Sequence, residues 1–176
     1  AAWIIEGRHS DGRLEGQCII PGGPEDQSAY RSELGGLYAI AAMVQVICEL
    51  HNIQEGSIEV ACDGMNALAQ VGEADPIIRP NGAQYDIIAA TQAKIKRTNI
   101  QWKMRHVMGH QDDTQGCTVM DRWETLNCMM DERAKQHWQH HSTRTTRVQS
   151  AVDCEPWAVW TGRSKICGRL AAQVIE

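Results

Sequence analysis

The chain has 176 residues, a formal net charge of −5, and 43% hydrophobic against 22% charged residues. That is room for one domain with a sizeable core, in a composition ordinary for a globular protein. It excludes a broadly basic surface, though not a local one, and no uninterrupted apolar run approaches the ~20 residues of a membrane span.

The chain opens Ala1-Ala2-Trp3-Ile4-Ile5-Glu6, with neither a basic leader region nor a long apolar one, so no signal peptide is read. A start on Ala rather than Met suggests excision from something longer. Ala1–Gly7 is rich in β formers and predicts a strand. Asp11-Gly12 carries a hairpin signal, and Leu14–Ile20 predicts the returning strand, stopped by Pro21-Gly22-Gly23-Pro24. A helix is expected from about Ser28 to Leu50, with Leu34, Leu37, Ala41, Val44 and Cys48 facing the core and Ile40 and Ile47 widening the stripe.

Ser57–Cys62 predicts a short apolar strand closing on Asp63-Gly64, and Asn66–Val71 a short helix. The Pro and Gly content of Asp75–Gly82 marks a loop. Tyr85–Arg97 predicts a helix with Ile87, Ile88, Ala90, Thr91 and Ile95 inward, and Ile100–Val107 a strand with Trp102, Met104 and His106 on one face. A polar loop over Gly109–Met120 precedes a helix capped at Asp121 or Thr125 and running to about His140.

Residues 1–141 therefore form one domain, 142–156 a polar linker, and 157–176 a tail made of a hairpin around Trp157–Ile166 and a short helix. A hairpin followed by alternating helices and strands predicts an α/β fold with a mixed sheet flanked by helices. The seven cysteines form no Cys-x-x-Cys pair. They read as buried or incidental thiols of a reducing, intracellular compartment rather than as a disulfide or zinc framework.

Three carboxylates stand out by their settings. Glu33 lies early in the long helix, Asp63 ends an apolar strand, and Asp131 lies on the late helix. Taken singly, each has an ordinary reading: a solvated helix residue, a strand-end turn signal, a solvated helix face. Taken together, they are hard oxygen donors brought in from three separate elements. Mg²⁺ prefers such donors, and two such ions about 4 Å apart stabilise the attacking and leaving oxygens of an in-line displacement.

The ordered set Ser32-Glu33-Leu34, Cys62-Asp63-Gly64, Gly109-His110-Gln111-Asp112-Asp113 and Asn127-x-x-x-Asp131-x-x-Ala134 resembles the type 1 ribonuclease H domain, over roughly residues 1–140. The resemblance is greatest to such domains of reverse-transcribing retroelements, through the Gly-His-Gln-Asp-Asp loop and the stretch Arg122-Trp123-x-x-Leu126-Asn127. It implies a metal-dependent endonuclease that hydrolyses the RNA strand of RNA/DNA hybrids with two Mg²⁺, or Mn²⁺, in a polyprotein with an upstream reverse transcriptase and no membrane partner. Glu33, Asp63 and Asp131 would be catalytic metal ligands, and His110 would act near the leaving group. Arg31, Asn66 and Asn127 would contact the hybrid.

The family also uses an Asp on a first, central strand, between the hairpin and the Asp63-type strand. No strand carrying an Asp precedes the hairpin here, so the sheet is expected to lack that strand. The expected consequence is either two unpaired strand edges or direct pairing of the first hairpin strand with the Asp63 strand.

Two further readings stay open: a catalytically impaired ribonuclease H-like module that binds nucleic acid or connects domains, and, ranked last, a DNA strand-transferring relative, which would need a late Glu where this chain has Asp131. Lys94, Lys96, Arg97, Lys103 and Arg105 form the densest basic cluster, either a phosphate-binding surface or a solvated helix end and strand edge. His110 also reads as a surface loop histidine, and His137, His140 and His141 as a solvated helix end rather than a metal site.

Overall fold

The computed structural model describes residues 1–8, 12–21, 27–72, 84–109, 120–141, 159–161 and 164–165. Strands β1 (Ala2–Glu6) and β2 (Arg13–Gln17) lead to helix α1 (Ala29–Leu50), strand β3 (Ser57–Cys62) and helix α2 (Met65–Gly72). Helix α3 (Tyr85–Lys96), strand β4 (Gln101–His106), helix α4 (Arg122–His141) and the short strands β5 (Trp160–Thr161) and β6 (Ser164–Lys165) follow. The chain is thus mixed α/β, with the helix and strand boundaries up to α4 met to within a residue or two except at β2, which ends at Gln17 rather than Ile20. The helix read at the end of the tail lies outside the described residues.

The strands form separate pairs: β1 antiparallel to β2, β3 parallel to β4, and β5 antiparallel to β6. The hairpin closes with Gly7 N–H donating to Gly12 O at 2.9 Å, and its ladder extends to Ala1, which exchanges hydrogen bonds with Cys18. The parallel register sets Cys62 opposite His106. Among the described residues β1 does not pair with β3, so the direct pairing of the first hairpin strand with the Asp63 strand is not formed.

The core is built on α1. Ser28 caps its start by accepting from the Arg31 N–H, and Leu34, Leu37, Ala41, Val44 and Cys48 are buried as the 3.6-residue spacing requires. Ile40 and Ile47 are half-buried, at the margin of that stripe. Leu34 and Leu37 join Ile20, Val60, Ala67, Leu68, Val71, Ile87 and Ile88 in one cluster. Among the described residues α1 is the one helix long and apolar enough to cross a membrane, and its apolar face is packed on α3 and β1.

Helix α4 is attached differently. Asp121 and Glu124 form a reciprocal cap at its start, each side chain accepting from the other's backbone N–H at 2.8 Å. The helix lies across β1, β2 and β3 but has no fully buried residue. Ion pairs hold it to the hairpin instead: Arg122 with Glu6, and Arg133 with Glu15 at 2.6 Å.

Candidate metal centre

Chain reversal after β3 builds the site. The Asp63-Gly64 pair ends the strand and starts α2, whose first turn is closed by Leu68 N–H donating to Gly64 O at 3.0 Å. Gly64 matters for what its hydrogen permits. A Cβ there would lie 2.6 Å from Cδ of Glu33 and closer still to Oε2. The carboxylate of α1 therefore rests directly on the turn that carries Asp63. Burial, and then the Asp63 carboxylate beside it, push the pKa of Glu33 above the usual value.

A second glycine closes the other side. A Cβ on Gly109 would lie 2.6 Å from Oδ2 of Asp63 and 3.2 Å from its Cβ. The backbone after β4 thus packs on the same carboxylate, and His106 Nε2 lies 3.1 Å from the Asp63 carbonyl oxygen. His110, the next residue after Gly109, lies outside the described residues, as do Asp112 and Asp113.

Cys62 sits under this pair. Burial is the main cause that pushes its thiol up to about 12, with Asp63 and Glu33 adding to it, while the Gly64 N–H, 3.4 Å from Sγ, works the other way. At neutral pH it is a neutral S–H aimed at Asp63, Sγ to Oδ1 3.8 Å, and not a thiolate ligand. Cys62, Gly64, His106 and Gly109 were not singled out as site residues from the sequence. The signal was present in the glycines, each of which follows or approaches a motif carboxylate that needs the space.

The other sequence-derived site residues divide. Asn66 is exposed on the first turn of α2, one turn beyond Asp63, where a ligand can reach it. Asn127 is half-buried on α4. Asp131 is 41% exposed and paired with Lys135 at 2.8 Å, one turn along the same helix. Among the described residues no three His, Cys, Asp or Glu side chains gather closely enough to hold a metal ion, so the structure brings together Glu33 and Asp63 but does not add Asp131.

Arg31 corrects an expectation. Its side chain is fully buried, with Nη1 and Nη2 donating to both oxygens of Asp86 at 3.1 and 2.8 Å and further bonds to Pro21 O and Gln84 Oε1. A guanidinium enclosed in this way holds α1 to α3 and does not contact an external hybrid. The basic cluster also disperses: Lys94 is buried with Nζ over the Tyr38 ring, whereas Arg105 lies over Trp123 and beside Glu59. Lys96, Arg97 and Lys103 are exposed.

Two outcomes follow from the Glu33 contact. Gly64→Ala forces Glu33 off the turn, so divalent-cation binding, followed by Mn²⁺ relaxation enhancement, is expected to weaken about tenfold with the fold intact. Glu33→Gln tests the repulsion itself. A carboxyl with a raised folded-state pKa makes stability fall as pH rises through the unfolded value of about 4.3. Without divalent cations the Gln variant is therefore expected to melt above the parent at pH 7 and level with it at pH 3.5, while losing cation binding.

No protein-family model, no curated protein and no solved structure matches this chain.

Proposed function

We propose that this chain is a metal-dependent endonuclease of the ribonuclease H type, acting on the RNA strand of RNA/DNA hybrids in a retroelement-type polyprotein. The observation that carries the reading is the meeting of Glu33 and Asp63, from a helix and a strand end, on a turn whose glycine leaves room for both. The first glycine of the Gly-His loop arrives at the same carboxylate. Three elements far apart in sequence, α1, the end of β3 and the segment after β4, thus meet at Asp63.

The donor set fits a hard divalent cation. Two neighbouring carboxylates, that of Glu33 made costlier to ionise by burial and by Asp63, with a neutral thiol rather than a thiolate beneath, favour Mg²⁺ or Mn²⁺ over softer metals. Glu33 and Asp63 would hold such an ion, which when bound supplies charge stabilisation at phosphate oxygens and activation of water. Gly64 and Gly109 fix the two carboxylates by close approach. Asn66 stands exposed one turn on, able to donate to a backbone phosphate or a 2′-OH. Asp131 and His110 would complete the centre under the family resemblance, Asp131 after exchanging its Lys135 partner.

A second reading, a nucleic-acid-binding or connecting module of impaired activity, is favoured by the split sheet and by the separate pairing of Asp131. Incubation with a labelled RNA/DNA hybrid and Mg²⁺ or Mn²⁺ separates the two. The nuclease cuts the RNA strand of the hybrid and spares duplex DNA; the module retards the hybrid in a gel and leaves it whole.

A further inference from the structure

The turn that carries Asp63 is tied to β4 by a side chain. Strand β4 runs parallel to β3 with His106 opposite Cys62, and Val107 N–H donates to Cys62 O at 3.1 Å where the ladder ends. One residue on, the chain leaves the sheet. Met65 N–H donates back to Asp63 O at 3.1 Å, a three-residue γ-turn centred on Gly64, and α2 begins. The same carbonyl oxygen meets the ring of His106, with Nε2 at 3.1 Å. A carbonyl oxygen only accepts, so the proton of the neutral ring lies on Nε2 and Nδ1 is left as the acceptor.

Strand alternation delivers the ring to this place. Trp102, Met104 and His106 share one face of β4; the first two pack against the core cluster, whereas His106, last in the row, is exposed. The row has run past the core, and its last side chain reaches the turn instead. Three residues further, Gly109 approaches the Asp63 carboxylate so closely that a Cβ would lie 2.6 Å from Oδ2. The exit of β4 therefore meets Asp63 at both ends, the carbonyl through His106 and the carboxylate through Gly109. Glu33 rests on the third side, against Gly64. The two glycines supply space. The His106 bond supplies direction, because a hydrogen bond weakens steeply as its acceptor turns away.

We infer that His106 is a positioning residue of the candidate metal centre: its Nε2–H pins the Asp63 carbonyl to β4 and so fixes where the Asp63 carboxylate stands beside Glu33. The consequence for cation binding rests on the metal-centre reading; the placement of the carboxylate does not. His106 meets the backbone of a ligand residue, and neither ion nor substrate. Partners that orient a metal ligand directly are worth about ten- to a hundredfold in affinity, and one acting through the ligand's backbone is expected to be worth about fivefold. The same bond contributes little to folding, because the ring is exposed and water can replace it at the carbonyl.

Three variants of the full chain test this. His106→Ala removes the donor, His106→Gln keeps an N–H at the reach of Nε2, and His106→Asn carries the same amide one methylene too short. Each is read twice: by the ¹³C shift of the Asp63 side-chain carboxylate without divalent cations, and by Mn²⁺ affinity from relaxation enhancement. The Ala and Asn variants are expected to move the Asp63 signal and to bind Mn²⁺ about fivefold more weakly. The Gln variant is expected to restore the signal and to bind within about twofold of the parent, with all three melting within a few degrees of it. Parental Mn²⁺ affinity in His106→Ala, or an unmoved Asp63 signal there, overturns the inference. Weakening in His106→Gln as large as in His106→Ala also overturns it, since the imidazole would then be a ligand itself. A parent that binds no Mn²⁺, while the Asp63 signal moves with Ala and Asn and returns with Gln, supports the placement by His106 and overturns the metal-centre reading instead.

Discussion

Asp63→Asn is expected to reduce metal-dependent cleavage of the hybrid at least about a hundredfold, equivalent to about 2.7 kcal/mol of transition-state stabilisation. The substitution keeps the shape of the side chain and removes the charge a divalent cation would need. It should leave the fold intact, because Asp63 is half-buried at a strand end and makes no ion pair with the other described residues. Equal circular dichroism melts for parent and variant, with cleavage lost, would separate a ligand role from a structural one. Asp131→Asn is the matched comparison. Asp131 has a side chain 41% exposed and held by Lys135, outside the Glu33–Asp63 pair, so the arrangement seen here predicts a loss of threefold or so at most. A loss as large as that of Asp63→Asn would instead mean that α4 brings Asp131 to the ion when substrate binds.

Much of this architecture was legible in the residues because local rules and tertiary packing agree. The stripe from Leu34 to Cys48 had one sensible face, and that face is buried. The alternation and Asp-Gly turn of the hairpin left little choice of pairing, and the strand ending at Asp63 had to deliver its carboxylate at a sheet end. What was not legible lay in long-range partners. Arg31, two residues before Glu33, read as a phosphate contact because nothing local announces Asp86, whose place beside it depends on how α3 packs against α1. Lys94 turned inward for the same reason, covering Tyr38 rather than extending the basic cluster. The separation of Asp131 from the other carboxylates is also tertiary. Helix α4 is placed by Arg122 and Arg133 reaching to the hairpin acids, and no periodicity within α4 fixes how far it sits from β3.

The Arg31–Asp86 pair carries the largest expected effect on stability. Both side chains are almost wholly removed from water, at 0% and 6% exposure, and join the two longest core-facing helices. Removing Arg31 alone leaves the Asp86 carboxylate buried without its bidentate partner, and Arg31→Ala is expected to cost about 3–5 kcal/mol. That is a large share of the roughly 5–15 kcal/mol that holds a domain of this kind together, so the variant should melt many degrees below the parent or fail to fold at 37 °C. Asp86→Ala should be equally damaging, since it strands a guanidinium that cannot shed its proton. The double variant Arg31→Met with Asp86→Leu removes both charges and keeps much of the volume. It is expected to recover most of the loss, because two well-packed apolar side chains replace a buried ion pair at little net cost. Its measured coupling also tests the reassignment of Arg31. If Arg31 acts only by holding α1 to α3, the stable double variant keeps hybrid binding at parental strength. A restored melting temperature with weakened hybrid binding would return Arg31 to the substrate surface, and with it would require α1 to shift when the hybrid docks.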